Sequence, residues 1–339
     1  MPVTEVHKDA DNLTMTVVAD FAAPLQRVWD AYVDPRQLEK FWGPPGFPAT
    51  FTRHDCFPGG LSHYTMTGQA DPTSTDLEQE VLTHGGYWEW LDVKAPEGAE
   101  PTTASFEVRD GFSREDGTPN TDLPGMRMVF GFEATPEGTR MSTTTYFAAV
   151  EEMAQILEMG AEEGMREAMA QIDDVLTDLS SFAAGRGTTT TLLDDTRARI
   201  SRVIRGSVDQ VWRAHHDPEL VRQWMLGPDG WRMVTCEVAT EPGETYRYEW
   251  EPDGEGEGFG FTGTLTDSEP PYRSAHTEQM IGDPTMVAYE TTFTPVTEGT
   301  LLSHVMSCPS QEVRDQILAT GMTDGMETSY QRLERVIAA

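Results

Sequence analysis

The sequence predicts an α+β protein built from two tandem copies of one domain, each a curved antiparallel sheet wrapped around a long C-terminal helix. Three observations carry this. An internal repeat holds over several motifs in two registers, strand-like segments follow one another between turn residues, and one long helical stripe closes each copy. The 339 residues fit two domains of about 150 residues each, large enough to bury a core without staples.

The repeat sets the organisation, because a missed repeat misreads the whole fold. Val28-Trp29-Asp30-Ala31-Tyr32-Val33-Asp34-Pro35 matches Val211-Trp212-Arg213-Ala214-His215-His216-Asp217-Pro218 at a shift of 183. Gly43-Pro44 matches Gly227-Pro228, and Pro58-Gly59 matches Pro242-Gly243, at 184. Further on, Glu137-Gly138-Thr139 pairs with Glu298-Gly299-Thr300, Ile156-Leu157 with Ile317-Leu318, Gly160 with Gly321, and Gly164-Met165 with Gly325-Met326, all at 161. The fall from 184 to 161 gives copy one a net insertion of 23 residues. The Pro/Gly-rich stretch Ala95–Gly125 is its expected place, as a long loop. Residues 180–191, SSFAAGRGTTTT, are small, polar and aperiodic, as a linker should be. The expected domains are therefore 10–179 and 192–339.

Within copy one, Leu13–Phe21 alternates apolar and polar and predicts the first strand. Pro24 suits a helix start, and Val28, Trp29 and Tyr32 share one helical face up to the break at Asp34-Pro35. A second short helix reaches Phe41-Trp42 and ends at Gly43-Pro44-Pro45-Gly46. Strands are predicted over Ala49–Phe57, Leu61–Thr67, Val81–Val93, Thr103–Arg109, Met126–Ala134 and Thr139–Phe147, an antiparallel meander. A final helix spans Glu151–Leu179, with Ile156, Gly160, Gly164, Ala168, Ile172 and Val175 on one stripe. Copy two repeats the order: strand Ala198–Ile204, paired helices over Val208–Trp224, a meander from Trp231 to Met306, and a helix over Gln311–Ile337.

The charge excludes several partners. Fifty-seven acids against 24 bases leave −33, and the only lysines are Lys8, Lys40 and Lys94. Such a surface repels phosphate backbones and anionic headgroups, so no nucleic-acid or membrane partner is expected. Cys56, Cys236 and Cys308 lie far apart with no Cys/His cluster, so neither a disulfide framework nor a metal site is indicated. The N-terminus lacks a basic-then-apolar leader and no run has the length of a membrane span, which points to the cytoplasm.

The ordered motifs carry a family resemblance. Val28-Trp29, Asp34-Pro35 and Trp42-Gly43-Pro44 come first, then Pro58-Gly59-Gly60, then Met159-Gly160-Ala161-Glu162-Glu163-Gly164-Met165 with Gln171-Ile172-Asp173. This series resembles the SRPBCC (START-like, helix-grip) superfamily, and within it the homologues of the heat-shock-protein ATPase activator. Copy two departs at Met225-Leu226 and Thr323-Asp324. The resemblance implies a strand, two small helices, a six-stranded curved sheet and a C-terminal helix. Between sheet and helix it implies an apolar pocket of the kind that holds lipids, hormones or polyketides. A co-chaperone role does not transfer by fold.

Candidate ligand-binding residues follow from composition and alternation. Methionines gather on the proposed roofs: Met159, Met165 and Met169 in copy one, Met322 and Met326 in copy two, suited to adaptable apolar linings. Tyr246, Tyr248 and Trp250 alternate, with Tyr64 and Met66 at matching places, so each set lies on one sheet face. Trp42, Met128 and Phe130 in copy one, and Trp224, Phe261 and Met306 in copy two, complete the lining. Trp88 and Trp90 are further lining candidates; they oppose Tyr87, Glu89 and Leu91, a strand apolar on both sides that suggests contact with the other copy. Gly160 and Gly164 inside a helix suggest close approach by sheet or ligand, since interior glycine costs ~1 kcal/mol. No hydrolase, metalloprotease, P-loop or dinucleotide motif is present. The candidates for proton transfer are Glu89, if buried among its aromatic neighbours, and His304 on the last strand. The expected function is non-covalent binding of a hydrophobic small molecule, lipid- or polyketide-like and of elongated shape if the cavity opens to the other copy, in apolar cavities and without a cofactor, as a carrier, sequestering or biosynthetic accessory protein. A polyketide cyclase or aromatase and a chaperone accessory are the rivals.

Overall fold

The computed structural model describes residues 2–69, 81–114, 118–123, 125–178 and 187–338. The chain divides into two compact units, Met1–Leu179 and Ser180–Ala339, and each follows the same α+β plan. Unit one runs β1 (Val3–Asp9), β2 (Thr14–Phe21), α1 (Leu25–Val33), α2 (Pro35–Leu38), β3 (Ala49–His54), β4 (Leu61–Gln69), β5 (Val81–Lys94), β6 (Thr103–Ser113), β7 (Met126–Thr135), β8 (Gly138–Tyr146), α3 (Val150–Glu158) and α4 (Ala161–Thr177). Unit two runs β9 (Thr189–Leu192), β10 (Arg197–Ile204), α5 (Val208–His216), α6 (Pro218–Trp224), β11 (Trp231–Glu237), β12 (Thr245–Pro252), β13 (Phe259–Glu269), β14 (Arg273–Met280), β15 (Met286–Val296), β16 (Gly299–Ser307), α7 (Gln311–Ala319) and α8 (Met322–Ile337). The two eight-stranded sheets are ordered β1-β2-β8-β7-β6-β5-β4-β3 and β11-β12-β13-β14-β15-β16-β10-β9. Both are tandem helix-grip folds. No helix of the described residues is long and apolar enough to cross a membrane.

The repeated Asp-Pro explains the helix pairs. Asp34 ends α1, and its side chain accepts from the Arg36 amide at 3.0 Å to cap α2, whose first residue is Pro35. Asp217 does the same between α5 and α6, accepting from the Glu219 amide at 2.9 Å ahead of Pro218. Proline there forgoes only an amide that would have lacked a helical partner. The first helices then lie across the sheets, α1 on β6, β7 and β8, and α5 on β15 and β16.

Four expectations change. An added strand, β1, pairs antiparallel with β2. It is an edge strand whose residues are half-buried or exposed, so it lacked the apolar alternation that marks a strand in sequence. Part of the expected linker is likewise a strand, β9, paired with β10; residues 180–186 of that linker lie outside the described residues.

Each closing helix is broken in two. Gly160 separates α3 from α4 at φ +87°, and Gly321 separates α7 from α8 at φ +79°, a left-handed conformation that favours glycine. A Cβ added at Gly160 or Gly164 would meet nothing within 4 Å. Gly160 therefore makes a turn and Gly164 sits in open space, and no close approach of the sheet accounts for either.

Nor is the insertion one loop, for Ala95–Gly125 contains β6. Strand pairing aligns Ser62, Trp88, Asp110 and Met126 with Tyr246, Gly263, Glu278 and Val287. The shift between the copies falls 184, 175, 168, 161 along that row. The extra residues are thus shared among three successive hairpin connections.

Candidate functional site

On both sheets the residues facing the helices form rows that correspond one to one. In copy one a row runs Phe106, Phe130, Thr143, Val17; in copy two it runs Ser274, Thr291, His304, Ile200. The next row runs Val108, Met128, Thr145 against His276, Tyr289, Met306. Trp90 corresponds to Leu265, as Trp88 does to Gly263.

Copy one fills its interior with rings. Trp88 and Trp90 are both 0% exposed. Trp88 lies 4.6 Å from Trp42, 6.0 Å from Phe51 and 6.0 Å from Phe130, centroid to centroid. Phe106 stacks on Phe130 at 4.4 Å, and Trp29 and Tyr32 of α1 meet Phe106 at 5.9 Å. Ring pairs at these separations add to the burial of their own area. The expectation that Trp88 and Trp90 face the other copy is corrected, since rings of their own unit enclose them. Their indole N–H groups are satisfied inside it, Trp90 donating to Ser62 Oγ and Trp88 to Asp110 Oδ1, each at 2.8 Å.

Copy two replaces four of these large residues with Gly263, Leu265, Ser274 and Thr291, and brings polar rings inward. Its apolar core falls into separate clusters. One gathers Ile204, Val211, Trp224, Phe293, Leu302, Tyr330 and Leu333, another Ala198, Val287, Tyr289 and Met306, and a third Ala239, Tyr246 and Leu265. The polar groups beside them are His276, Glu278 and His304, together with the hydroxyls of Tyr246, Tyr248 and Tyr330. His276 stacks on Tyr289 at 5.3 Å and meets Tyr246 edge-on at 5.5 Å. The Tyr246 hydroxyl donates to Glu278 Oε2 at 3.1 Å and to the Thr277 carbonyl at 3.2 Å. Glycine is required at 263, because a Cβ there would collide with the Thr277 carbonyl oxygen and lie 2.8 Å from the Tyr246 ring.

His276, Glu278, Tyr248 and His304 lie deep in the unit yet keep accessible surface. Among the described residues His276, Tyr248 and the Tyr289 hydroxyl make no side-chain hydrogen bond, and none is among the polar atoms sealed in without a partner. His215 Nε2, by contrast, is sealed and unpartnered.

Burial sets the charges. It pushes Glu278 up to about 7, against the Tyr246 hydrogen bond, and pushes His276 and His215 down to about 4 and His304 to about 3. At neutral pH the three imidazoles are uncharged. His304 is tied on both sides, to Thr291 Oγ1 at 2.8 Å and to the Tyr330 hydroxyl at 2.6 Å. The equivalent acid in copy one, Asp110, is likewise pushed up to about 7, but it accepts from both Trp88 and Tyr64, the latter at 3.3 Å.

The residues expected from sequence divide accordingly. Met128, Phe130 and Met169 are buried with Tyr64, while Met66, Met165 and Trp42 are half-buried. Met159 is 55% exposed and leaves the roof. In copy two Tyr246, Tyr248, Trp250 and Phe261 share the concave face, Met306 and Trp224 are buried, and Met322 and Met326 are half-buried on α8. Glu89 is not buried: its carboxylate pairs with Arg109 on an exposed face, so the burial required for a proton-transfer role is missing. Sequence reasoning missed Asp110, His276, Glu278 and Tyr289. Among the described residues no group of three or more His, Cys, Asp or Glu could hold a metal ion.

Residues 22–177 and 205–338 each match the family described as activator of Hsp90 ATPase homolog 1-like protein. The crystal structure of protein Ms6760 from Mycobacterium smegmatis is 44% identical, covering 52% of this chain and 98% of its own, at a TM-score of 0.43. A solution structure from Arthrobacter aurescens is 39% identical over 52% of this chain and 92% of its own, at 0.44. The crystal structure of DynU16, a putative protein in the dynemicin biosynthetic locus, covers 97% of this chain and 100% of its own at 14% identity and 0.32. No curated protein matches the chain.

Proposed function

Because the chain belongs to the activator of Hsp90 ATPase homolog 1-like family in both of its copies, we propose that it binds an apolar small molecule non-covalently, and that copy two holds it. What supports this is the exchange of Trp88, Phe106 and Phe130 for the smaller Gly263, Ser274 and Thr291 on the face that carries Tyr248, His276 and Tyr289, whose polar atoms make no side-chain hydrogen bond among the described residues. Apolar walls with a few placed polar groups are what a small-molecule site requires. Half-buried Met322 and Met326 supply an adaptable roof. Native mass spectrometry of the full chain with a neutral naphthyl alcohol checks the reading. One bound molecule per chain is expected, and no uptake at any concentration would overturn it.

The enzymatic rival has one specific support. His276 and Glu278 sit two apart on β14, one with free ring nitrogens and one with a displaced pKa, a pairing suited to moving a proton in a closed site. Turnover of a polyketide chain that disappears in Glu278→Gln would favour it. A chaperone-accessory role would use the acidic surface, and nothing in the interior calls for it.

A further inference from the structure

A carboxyl withdrawn from bulk water without a counter-ion is costly, yet both copies hold a carboxyl at the same point of the same row, Asp110 buried and Glu278 half-buried, with no ion pair to either among the described residues. Its neighbours did not stay fixed: Ser62 and Trp88 beside Asp110 become Tyr246 and Gly263 beside Glu278. Asp110 is served by two donors of its own unit. Glu278 has only Tyr246 among the described residues. Three arginines of copy two pair with other carboxylates, Arg202 with Glu327 and Glu334, Arg273 with Asp267 and Glu290, and Arg247 with Glu249.

Around Glu278 stand the rings of Tyr246 and Tyr248, 5.2 Å apart, and the stacked pair His276 and Tyr289. Aromatic faces attract cations, most strongly where water is excluded. An acid lacking its counter-ion inside a ring of such faces is complementary to a positive charge. A neutral hydroxyl would engage the acid but leave the ring faces unused. The net charge of −33 also draws cations toward the chain.

Resting on the carrier reading above, we propose that the ligand of copy two is an apolar molecule bearing a protonated amine, seated with its ammonium against Glu278 within Tyr246, Tyr248, His276 and Tyr289. The amine supplies the missing counter-ion, and the Tyr246 hydroxyl, already donating to Oε2, holds the carboxylate in place. His276 stands beside it as a neutral imidazole, whose unprotonated ring nitrogen can accept a hydrogen bond from the ammonium. Where Glu278 was protonated beforehand, binding releases that proton to solvent.

The experiment is calorimetric titration of the full chain with 2-(2-naphthyl)ethylamine and with 2-(2-naphthyl)ethanol, which share one apolar skeleton. The amine is expected to bind at least about tenfold more tightly, a difference near 1.4 kcal/mol. Glu278→Gln removes that preference and keeps alcohol binding, which also reports that the fold is intact. Asp110→Asn keeps the preference. Equal binding of the two probes would overturn the amine assignment and leave the carrier reading standing. Binding of neither would overturn the carrier reading itself. A preference that survives Glu278→Gln, or is lost only in Asp110→Asn, would overturn the placement at Glu278.

Discussion

Two copies of one fold have settled the space between sheet and helix in opposite ways. Copy one packs Trp29, Tyr32, Phe51, Trp88, Trp90, Phe106 and Phe130 into it, each no more than 2% exposed. Copy two places His215, Gly263, Leu265, Ser274 and Thr291 at five of those positions. The rows correspond position by position, and what differs along them is side-chain volume and polarity: large rings in copy one, smaller and polar side chains in copy two. The copies teach that the fold provides the space, and the side chains of the concave face decide whether it is core or site.

The largest expected difference is in acid. His215, His276 and His304 bind protons more weakly in the folded chain than at their ordinary value of 6.5. Their contribution to stability is present above that value and is lost as pH falls toward 4 and then 3. At about 1.4 kcal/mol per unit, the combined loss is on the order of 5 kcal/mol or more. Copy one has Tyr32, Val108 and Thr143 at those positions. Circular dichroism on acidification should show copy two unfolding first, and simultaneous loss of both would break the contrast.

The next largest effect is Trp88→Ala, expected to cost copy one about 3–5 kcal/mol in urea denaturation while probe binding in copy two persists. Glu278→Gln works in the other direction. Burial raises Glu278 from 4.5 to about 7, so its stabilising contribution is complete below 4.5 and disappears as pH rises through 7. Tyr246, Tyr248, His276 and Tyr289 are the titratable groups around it, and all are uncharged over that range. At alkaline pH the substitution should stabilise copy two by about 3 kcal/mol, and a destabilisation there would show that the carboxyl is paired. The smallest effects come from glycine. Gly160→Ala should cost about 1 kcal/mol because of its left-handed backbone, whereas Gly164→Ala, helical and in open space, should gain a few tenths to about 1. Thermal melts of the two variants should therefore move in opposite directions.

The architecture was legible because duplication wrote it twice. The Asp-Pro breaks, the meander and the closing stripe each recur at a fixed shift, and Tyr246, Tyr248 and Trp250 announce their shared face by alternation. Edge strands β1 and β9 were not legible, since a strand paired on one side needs little apolar patterning. The site itself was hidden for a related reason. His276 and Glu278 alternate with Thr277 and Gln279, polar against polar, so nothing in the sequence says which pair turns inward. Only the pairing of β14 with β13 and β15 fixes that. Glu89 misled in the opposite sense, its aromatic neighbours suggesting burial when the strand turns those rings inward and the carboxylate out to Arg109.

The most direct measurement is an NMR titration of the methyl-labelled methionines of the full chain with 2-(2-naphthyl)ethylamine. The account predicts that Met280 at the rim and Met322 and Met326 on the roof of copy two shift in a saturable way. Met15, Met128 and Met141, packed in copy one, should stay in place. Shifts confined to Met66, Met128 and Met165, or no shift at saturating probe, would contradict it.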